Sequence, residues 1–502
     1  MLNKQKIFKI LFYFSLILLI VLAISPFFIE SALARPGGGN SYSGGGGGGS
    51  GGGGGDGIAS LIIYLIMMLP PEISIPLVII VLIIYVISKR KAQKNPTITS
   101  TPTFENRSAN IAGTQMSLDS FRQSDPNFSK VLFLEFVSSL FHKFYNLQNS
   151  NDYSTITPFV NDNIIQALKN QKVKRQVNEI VIGSLYISNI SQMQDIVAIT
   201  VDLEANYTVT INNNATRYVV TERWLLNRKS GVVSKDPETM RKLSCPNCGA
   251  ASDFTDAGQC NHCQTFITKG DMQWFMKDRK VIFQQAFQTN SLLTYAEEVG
   301  TNYPTVYQAN IQSKVQQFEK LHNTQWSTYW SNFQTNVANL YFTQIYSAWT
   351  RQRWDEVRHL VADRLWESNQ YWQETYKKAS LINKLENINI SKIDLAKIET
   401  DKFYEAVTVR IFANCFDYVT DRSGKVMAGT NKKSRYFSEY WTFIRHSGVE
   451  KDSFDLKTCP SCGAPADKMG QAGNCEYCGS KISTGQFSWV LAIITQDEAY
   501  RG

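Results

Sequence analysis

Eight of the nine cysteines stand in C-x-x-C pairs. Cys245, Cys248, Cys260 and Cys263 follow C-x2-C-x11-C-x2-C, and Cys459, Cys462, Cys475 and Cys478 repeat the pattern with twelve residues in the middle. Each C-P-x-C-G turn sets two sulfurs on one side of a tight loop, with backbone N–H groups pointing at them. Two such turns complete a tetrahedral four-sulfur shell suited to Zn2+. An Fe–S centre can use the same ligands; two structural zinc ions are the expectation. Four thiolates leave no open coordination position, so these sites hold structure rather than perform chemistry. His262 lies inside "CNHC", but with a full sulfur set available it reads as a solvated side chain.

Little else in the chain has catalytic spacing. Of the five histidines (His142, His262, His322, His359 and His446), none recurs at the same place in the two copies described below. Glu222 and Glu439 are the only matched carboxylates on a strand, and both are expected to be exposed strand charges rather than general bases. Cys415 falls at an inward strand position and reads as a core thiol, since no electropositive neighbourhood accompanies it. No catalytic residue is assigned. The chain reads as a non-enzyme.

The elements that position these residues are written twice. With an offset of 201, "FYNLQNSNDYSTITPFVNDNIIQAL" from Phe144 runs without a gap along "IYSAWTRQRWDEVRHLVADRLWESN" from Ile345. Apolar residues in both recur at helical spacing. The pattern then changes to period two. Ile199, Val201, Leu203, Ala205, Tyr207, Val209 and Ile211 alternate with polar residues, and "VTVRIFANCF" from Val407 does the same. A further strand reads "YVVTERWLLNR" and "RYFSEYWTFIR", which aligns Glu222 and Trp224 with Glu439 and Trp441. Helices followed by a curved antiparallel sheet make an α+β module. The expected boundaries are 128–243 and 336–457 for the modules, each followed by its zinc ribbon, 244–270 and 458–485. Residues 271–335 read as a helical connector and 486–502 as a C-terminal tail.

Ahead of the modules, Lys4, Lys6 and Lys9 precede an apolar run, and Ala32-Leu33-Ala34 fits a small-x-small cleavage site. Residues 1–34 therefore read as a signal peptide, with an uncleaved anchor as the alternative. Residues 35–57 form a tract with 15 glycines between Gly37 and Gly57, read as a tether. Residues 58–91 form a hydrophobic membrane segment. Its 31 residues from Ile58 to Ser88 carry one charge, Glu72, and are interrupted by Pro70, Pro71 and Pro76. At about 1.5 Å per residue that exceeds the roughly 30 Å hydrocarbon core, so a span from about Pro71 to Lys91 is expected, with Ile58–Leu69 folded against it or in the interface. Lys89, Arg90, Lys91 and Lys94 flank it and would sit at the membrane surface, which places everything beyond them on the cytoplasmic face. Reduced thiols and an export signal then coexist. Residues 92–127 read as a polar linker. Removing residues 1–34 takes three lysines and one glutamate from a formal net charge of +8, leaving +6, of which the membrane flank holds four. The remainder lacks the basic stripe of a nucleic-acid binder.

This arrangement resembles a family. The helical segment Tyr145–Leu168, the strand Ile199–Ile211 and "TERW" at Thr221–Trp224, with the second copies Tyr346–Asn369, Val407–Phe416 and "SEYW" at Ser438–Trp441, are similar to the bacterial relatives of mitochondrial import inner membrane translocase subunit 44. The resemblance implies a cone-shaped fold like that of nuclear transport factor two, with an apolar cavity, on a bacterial inner-membrane protein. In the mitochondrial member this domain binds acidic lipid and helps attach a heat-shock chaperone. The present chain differs in its spanning segment, doubled module and ribbons, and it has no recognisable chaperone-binding segment. The function expected is a membrane-anchored scaffold that binds a protein partner or acidic lipid. A small-molecule-binding or isomerase-like enzyme using the cavity is the alternative.

Overall fold

The computed structural model describes residues 114–502, apart from 172–174, 242, 288–298, 450–457, 466–469, 471 and 498. The signal peptide, glycine tract, membrane segment and the cluster Lys89, Arg90, Lys91 and Lys94 lie outside the described residues, as does the linker up to residue 113.

The first module opens with β1 (Thr114–Gln115) and α1 (Leu118–Ser124), then α2 (Lys130–Asn146), a 3-10 turn over Ser154–Phe159 and α3 (Asp162–Lys169). Ser129 caps α2 by accepting from the Leu132 amide, and the helix buries Phe133, Phe136, Val137, Leu140, Phe141 and Phe144 at the three-four spacing of an amphipathic face. Strands β2 (Gln176–Met193), β3 (Ile196–Ile211) and β4 (Asn214–Lys229) follow as an antiparallel meander, and β5 (Phe275–Ala286) closes the sheet against β4. Along β3 the residues from Ile199 to Val209 that alternate inward are all buried under the helices.

The second module repeats that order. The helical layer runs α5 (Ile311–His322), α6 (Trp326–Phe333), a π-helical turn over Gln334–Asn339, α7 (Leu340–Thr350), a 3-10 turn over Trp354–Leu360 and α8 (Asp363–Lys378); α4 (Pro237–Arg241) is a short turn within the first module. Strands β6 (Leu381–Thr400), β7 (Tyr404–Asp421), β8 (Val426–His446) and β9 (Val490–Gln496) form the second antiparallel sheet in that order. Leu203 faces Glu222 across β3–β4, and Ile411 faces Glu439 across β7–β8, so the registers correspond. In both modules the residue after the 3-10 turn forms a parallel bridge to the last strand, Val160 to Met276 and Val361 to Leu491.

Three expected boundaries change. The cysteine ribbons do not follow the modules; each is inserted between the third long strand and the last one. Residues 275–286 of the expected helical connector are β5, and residues 490–496 of the expected tail are β9. β5 is an edge strand in which only Met276 is buried, so its Lys, Asp and Gln residues hide the period-two signal. The end of the expected linker also belongs to the first module. Residues 114–115 pair with β2, and Phe121 and Asp125 are buried.

The two modules share apolar contacts. Tyr404, Ala406, Ile444 and Val490 join the first core, while Val181 and Val219 join the second. Arg217 lies 4.1 Å over the Tyr371 ring. Polar contacts surround this junction: Lys130 Nζ is 3.3 Å from Glu399 Oε2, and Arg122 is 3.5 Å from Asp401. Burial alone would raise Glu399, but Lys130, Lys397 and Arg122 overcome it and hold the carboxyl at about 2. Its folded value lies below its unfolded one, so its contribution is complete above the ordinary glutamate range and is lost as pH falls toward about 2. Asp401 runs the other way: burial raises it to about 6, so ionising it costs stability as pH rises from the usual aspartate range through that value. We therefore expect acid to loosen the junction through Glu399. Thermal melts of the wild type and of Glu399→Gln, compared at pH 3 and pH 6, should show the gap between them shrinking in acid; a constant gap would remove Glu399 from the account.

Candidate metal centres

Each ribbon is two knuckles. At the first knuckles, the Gly249 and Gly463 amides donate to the carbonyls of Cys245 and Cys459 at 2.8 Å. Both glycines have positive φ, +74° and +76°, which lets the chain turn back under the sulfurs. At the second knuckles Gly479 and Gln264 take that place. Gln264, at φ +60°, adopts the left-handed conformation without glycine's freedom, at a cost of about 1 kcal/mol.

The knuckles bring the sulfurs together as four-membered sets. Cys245 and Cys263 Sγ are 3.9 Å apart, and Cys248 and Cys260 are 4.0 Å apart. In the second ribbon Cys459–Cys478 is 3.9 Å and Cys462–Cys475 is 3.8 Å. Within each set all four sulfurs lie within 4.8 Å of one another. Tetrahedral coordination with bonds of about 2.3 Å separates sulfurs by about 3.8 Å, whereas a disulfide needs about 2.05 Å. The donor set and its spacing fit a four-coordinate metal. Hydrogen bonds from the side chains of Asn247 and Thr265 pull the Cys263 thiol down to about 5, and those from Ser480 bring Cys478 to about 6. Burial and the neighbouring thiols push one other ligand of each set, Cys245 and Cys462, up to about 12, so a metal would meet one ready thiolate and displace protons from the rest. His262 is exposed and does not join the cluster.

The ribbons are fastened to their own modules at corresponding points. Lys269 Nζ lies 2.9 Å from Asp162 at the start of α3; Lys481 Nζ lies 2.7 Å from Asp363 at the start of α8. Ser483 also donates to Asp363 at 2.8 Å, and buried Arg358 pairs with the same carboxylate. Immediately beyond each ribbon a glycine crosses the end of the neighbouring strand, Gly270 at φ +87° and Gly485 at φ +80°. A Cβ on Gly485 would stand 2.7 Å from Arg445 Cα, a backbone atom that cannot swing aside. Gly485→Ala is therefore expected to cost about 2 kcal/mol or more, because both the conformation and the space exclude a side chain. Gly479→Ala, with open space around it, should cost only its φ strain. Chemical denaturation of both variants measures the difference.

Four residues beside these crossings carry no expectation from the sequence. Arg228 is buried, 2.6 Å from Asp125 Oδ2 and 4.3 Å over the Trp274 ring. Arg445 is buried, 2.8 Å from Glu405 Oε2 and 4.5 Å over the Trp489 ring. The signal was present: both arginines close the aligned stretches "TERWLLNR" and "SEYWTFIR", and both tryptophans follow their glycine by four residues. A buried arginine is legible only when its anion is known, and the two anions come from unrelated places in the chain.

Glu222 and Glu439 require correction. Both are fully buried rather than exposed. Glu222 accepts from the Tyr145 hydroxyl, from Trp224 Nε1 at 2.8 Å and from Arg279 Nη2 at 2.9 Å. Glu439 accepts from the Tyr346 hydroxyl and Trp441 Nε1, each at 3.0 Å, and from Gln496 Nε2 at 3.2 Å. Burial, reinforced by the Glu222 charge, pushes Tyr145 well above the ordinary phenol value, so it remains a donor. Both oxygens of each carboxylate are engaged, and aromatic rings pack alongside; Tyr145 and Tyr207 lie 4.7 Å apart, Phe141 and Trp224 5.4 Å. The arrangement ties a helix to the sheet. His359 is buried, which lowers it to about 4, and His142 is partly buried. Cys415 is fully buried in the second core.

The helices from Trp326, the meander of β6 to β8 and the Tyr346–Glu439–Trp441 tie together form the part of the chain that a known family model recognises. Residues 327–458 match the Tim44-like domain. No curated protein matches the chain. The Tim44-like domain ends one residue before Cys459, so the match includes neither the second ribbon nor β9. The first module lies outside the match and shares its order of elements. A Tim44-like domain points to a binding or scaffold role in association with a membrane. Among the described residues no helix is long and apolar enough to cross a membrane.

Proposed function

We propose that this protein is a membrane-anchored, non-enzymatic scaffold that presents two copies of one cone-shaped module, each locked by a structural zinc ribbon, on the cytoplasmic face. The Tim44-like match over residues 327–458 carries the reading. The saturated carboxylates support it: Glu222 and Glu439 fasten the modules internally, with their hydrogen bonds already made to side chains of the same module. Zinc is favoured over an iron–sulfur cluster because all four sulfurs of each set lie within 4.8 Å of one another, the spacing of ligands around a single tetrahedral ion. The apolar run at 58–91 and the basic residues after it supply the anchor and its sidedness.

The partner is a protein or the acidic lipid surface itself. Cross-linking in intact membranes followed by mass spectrometry distinguishes them by naming a neighbour or finding none. Protease treatment of spheroplasts tests the placement: a C-terminal tag should survive until the membrane is opened. Digestion of the tag from the outside would overturn the cytoplasmic assignment. The enzymatic alternative draws on one observation, the burial of two matched carboxylates. It requires Glu222→Gln or Glu439→Gln to abolish turnover of a small molecule while leaving the melting temperature unchanged.

A further inference from the structure

We infer that the outer face of the second sheet is a seat for an acidic–aromatic segment of a partner protein, occupied here by the chain's own residues 497–502. The inference rests on the scaffold reading above, whose protein partner it describes. β9 ends its pairing with β8 at Gln496, and the chain then makes one turn, in which the Ala499 and Tyr500 amides donate to the Gln496 carbonyl. The turn meets Arg410, Ser438 and Tyr440, which alternate along β7 and β8 with the core residues Val409, Ile411, Phe437 and Trp441 and so face away from the helices. Asp497 Oδ1 stands 2.9 Å from Arg410 Nε, and its other oxygen accepts from the Ser438 hydroxyl. The Tyr500 ring stacks on Tyr440 with centroids 3.7 Å apart and planes 8° from parallel.

The first module closes the same place without a third segment. Asp202 holds the register of Arg410, and Arg223 meets it from the adjacent strand, donating to both its oxygens at 2.6 and 2.8 Å. In the second module the sign is reversed, and the residue across β7–β8 is Tyr440, which supplies no charge. Asp394, opposite Arg410 across β6–β7, stands 2.9 Å from Lys392 instead. Arg410 is therefore a buried cation whose carboxylate arrives from outside the long strands. Residues 300–306 form the fixed wall of the seat. The terminal nitrogens of Arg410 donate to the carbonyls of Tyr303 at 2.8 Å and Gly300 at 2.9 Å, and the Val306 amide donates to the Tyr440 hydroxyl at 2.8 Å. Guanidinium and ring are thus held ready whether or not residues 497–502 are present. Lifting that segment strands the buried cation, so the seat selects a replacement that brings its own carboxylate, with a ring three residues on. Side chains rather than strand pairs fasten residues 497–502, so the exchange leaves the sheet intact.

The test titrates the full chain, in detergent micelles, with a fluorescent synthetic peptide of residues 496–502. The Asp497→Asn/Tyr500→Ala protein should bind this peptide about tenfold more tightly than the wild type, whose own segment competes from within the chain. A peptide carrying the same two substitutions should bind neither protein. Unchanged metal content and unchanged hydrogen exchange in β9 would show that the variant remains folded. If it does not fold, the wild type decides: excess peptide should raise hydrogen exchange across residues 497–502 while β9 stays protected. A folded variant that does not bind, or a wild-type segment that excess peptide does not open, makes residues 497–502 a fixed part of the module and overturns this inference alone. A wild-type dimer that the variant does not form assigns the seat to a second copy of the chain and also overturns it. Membrane cross-linking that recovers no protein neighbour removes the protein partner from the scaffold reading, and this inference with it.

Discussion

Replacing Cys459 and Cys462 with serine is expected to release β9 from the second sheet and to halve the metal content of the protein. The two substitutions remove half of one ligand set, and a structural zinc contributes about 10–16 kcal/mol of apparent binding energy in isolated finger peptides at neutral pH. In this fold that energy holds a loop whose two ends are β8 and β9. The loop is pinned by Lys481 and Ser483 on Asp363, and it delivers Trp489 onto Arg445. With the metal gone, β9 keeps its six pairs with β8, the Val361–Leu491 bridge, the Gln496–Glu439 hydrogen bond and the burial of Val490, Leu491 and Ile494, but loses the clasp that holds the loop leading into it. Hydrogen exchange should show β9 amides opening by local rather than global unfolding, and buried Trp489 should become accessible to a fluorescence quencher. The matching change in the first ribbon, Cys245→Ser with Cys248→Ser, should have a smaller effect on its strand, because β5 makes ten pairs with β4. If β9 exchanges at the same rate with and without its ribbon metal, the ribbon is an appendage and not a clasp.

The second large effect belongs to the buried arginines. Arg445→Ala leaves Glu405, itself fully buried, without its guanidinium and with the His322 ring, 2.8 Å from its other oxygen, beside it, and leaves the Trp489 face empty. Removing one partner of a buried ion pair costs about 3–5 kcal/mol, chiefly as the penalty of the stranded charge. Arg228→Ala should fall at the lower end of that range. Asp125 would still accept from the Ser234 amide at 3.0 Å and the Ser234 hydroxyl at 2.6 Å. The double variant Glu405→Met/Arg445→Met should recover most of the loss, since replacing both charges with apolar side chains removes the desolvation cost together with the attraction. Urea denaturation of the single and double variants measures all three. An Arg445→Ala protein as stable as the double variant would show that His322, already 2.8 Å from Glu405, compensates the carboxylate and that the arginine pair does not hold the module closed.

Both effects concern how each module is closed, and that closure was the least legible part of the chain. The cysteine spacing carries its own geometry: a pair of C-x-x-C turns can do little else with four thiolates, and the S···S distances of the folded chain agree with it. The meander was legible from Ile199 to Ile211 because a half-buried central strand must alternate. β5 and β9 were not. One is an edge strand with charged residues on its exposed face, and the other is seven residues long; neither shows a period that separates it from helix or tail. Placing the ribbons after the modules followed from missing those two strands.

Glu222 and Glu439 show the same division at the scale of one side chain. Their alignment in "TERW" and "SEYW" was visible, but a carboxylate on a strand is ordinarily exposed, and nothing local contradicts that. Their burial depends on Tyr145 and Tyr346 arriving from a helix, and on Arg279 and Gln496 arriving from the strand beyond the ribbon. Ligand sets, helix faces and central strands are local patterns, because their physics acts over a few residues of chain. Which strand closes a sheet, which charge is buried and what neutralises it are set by partners as far as 269 residues away, as Lys130 is from Glu399, and only the folded chain brings those together.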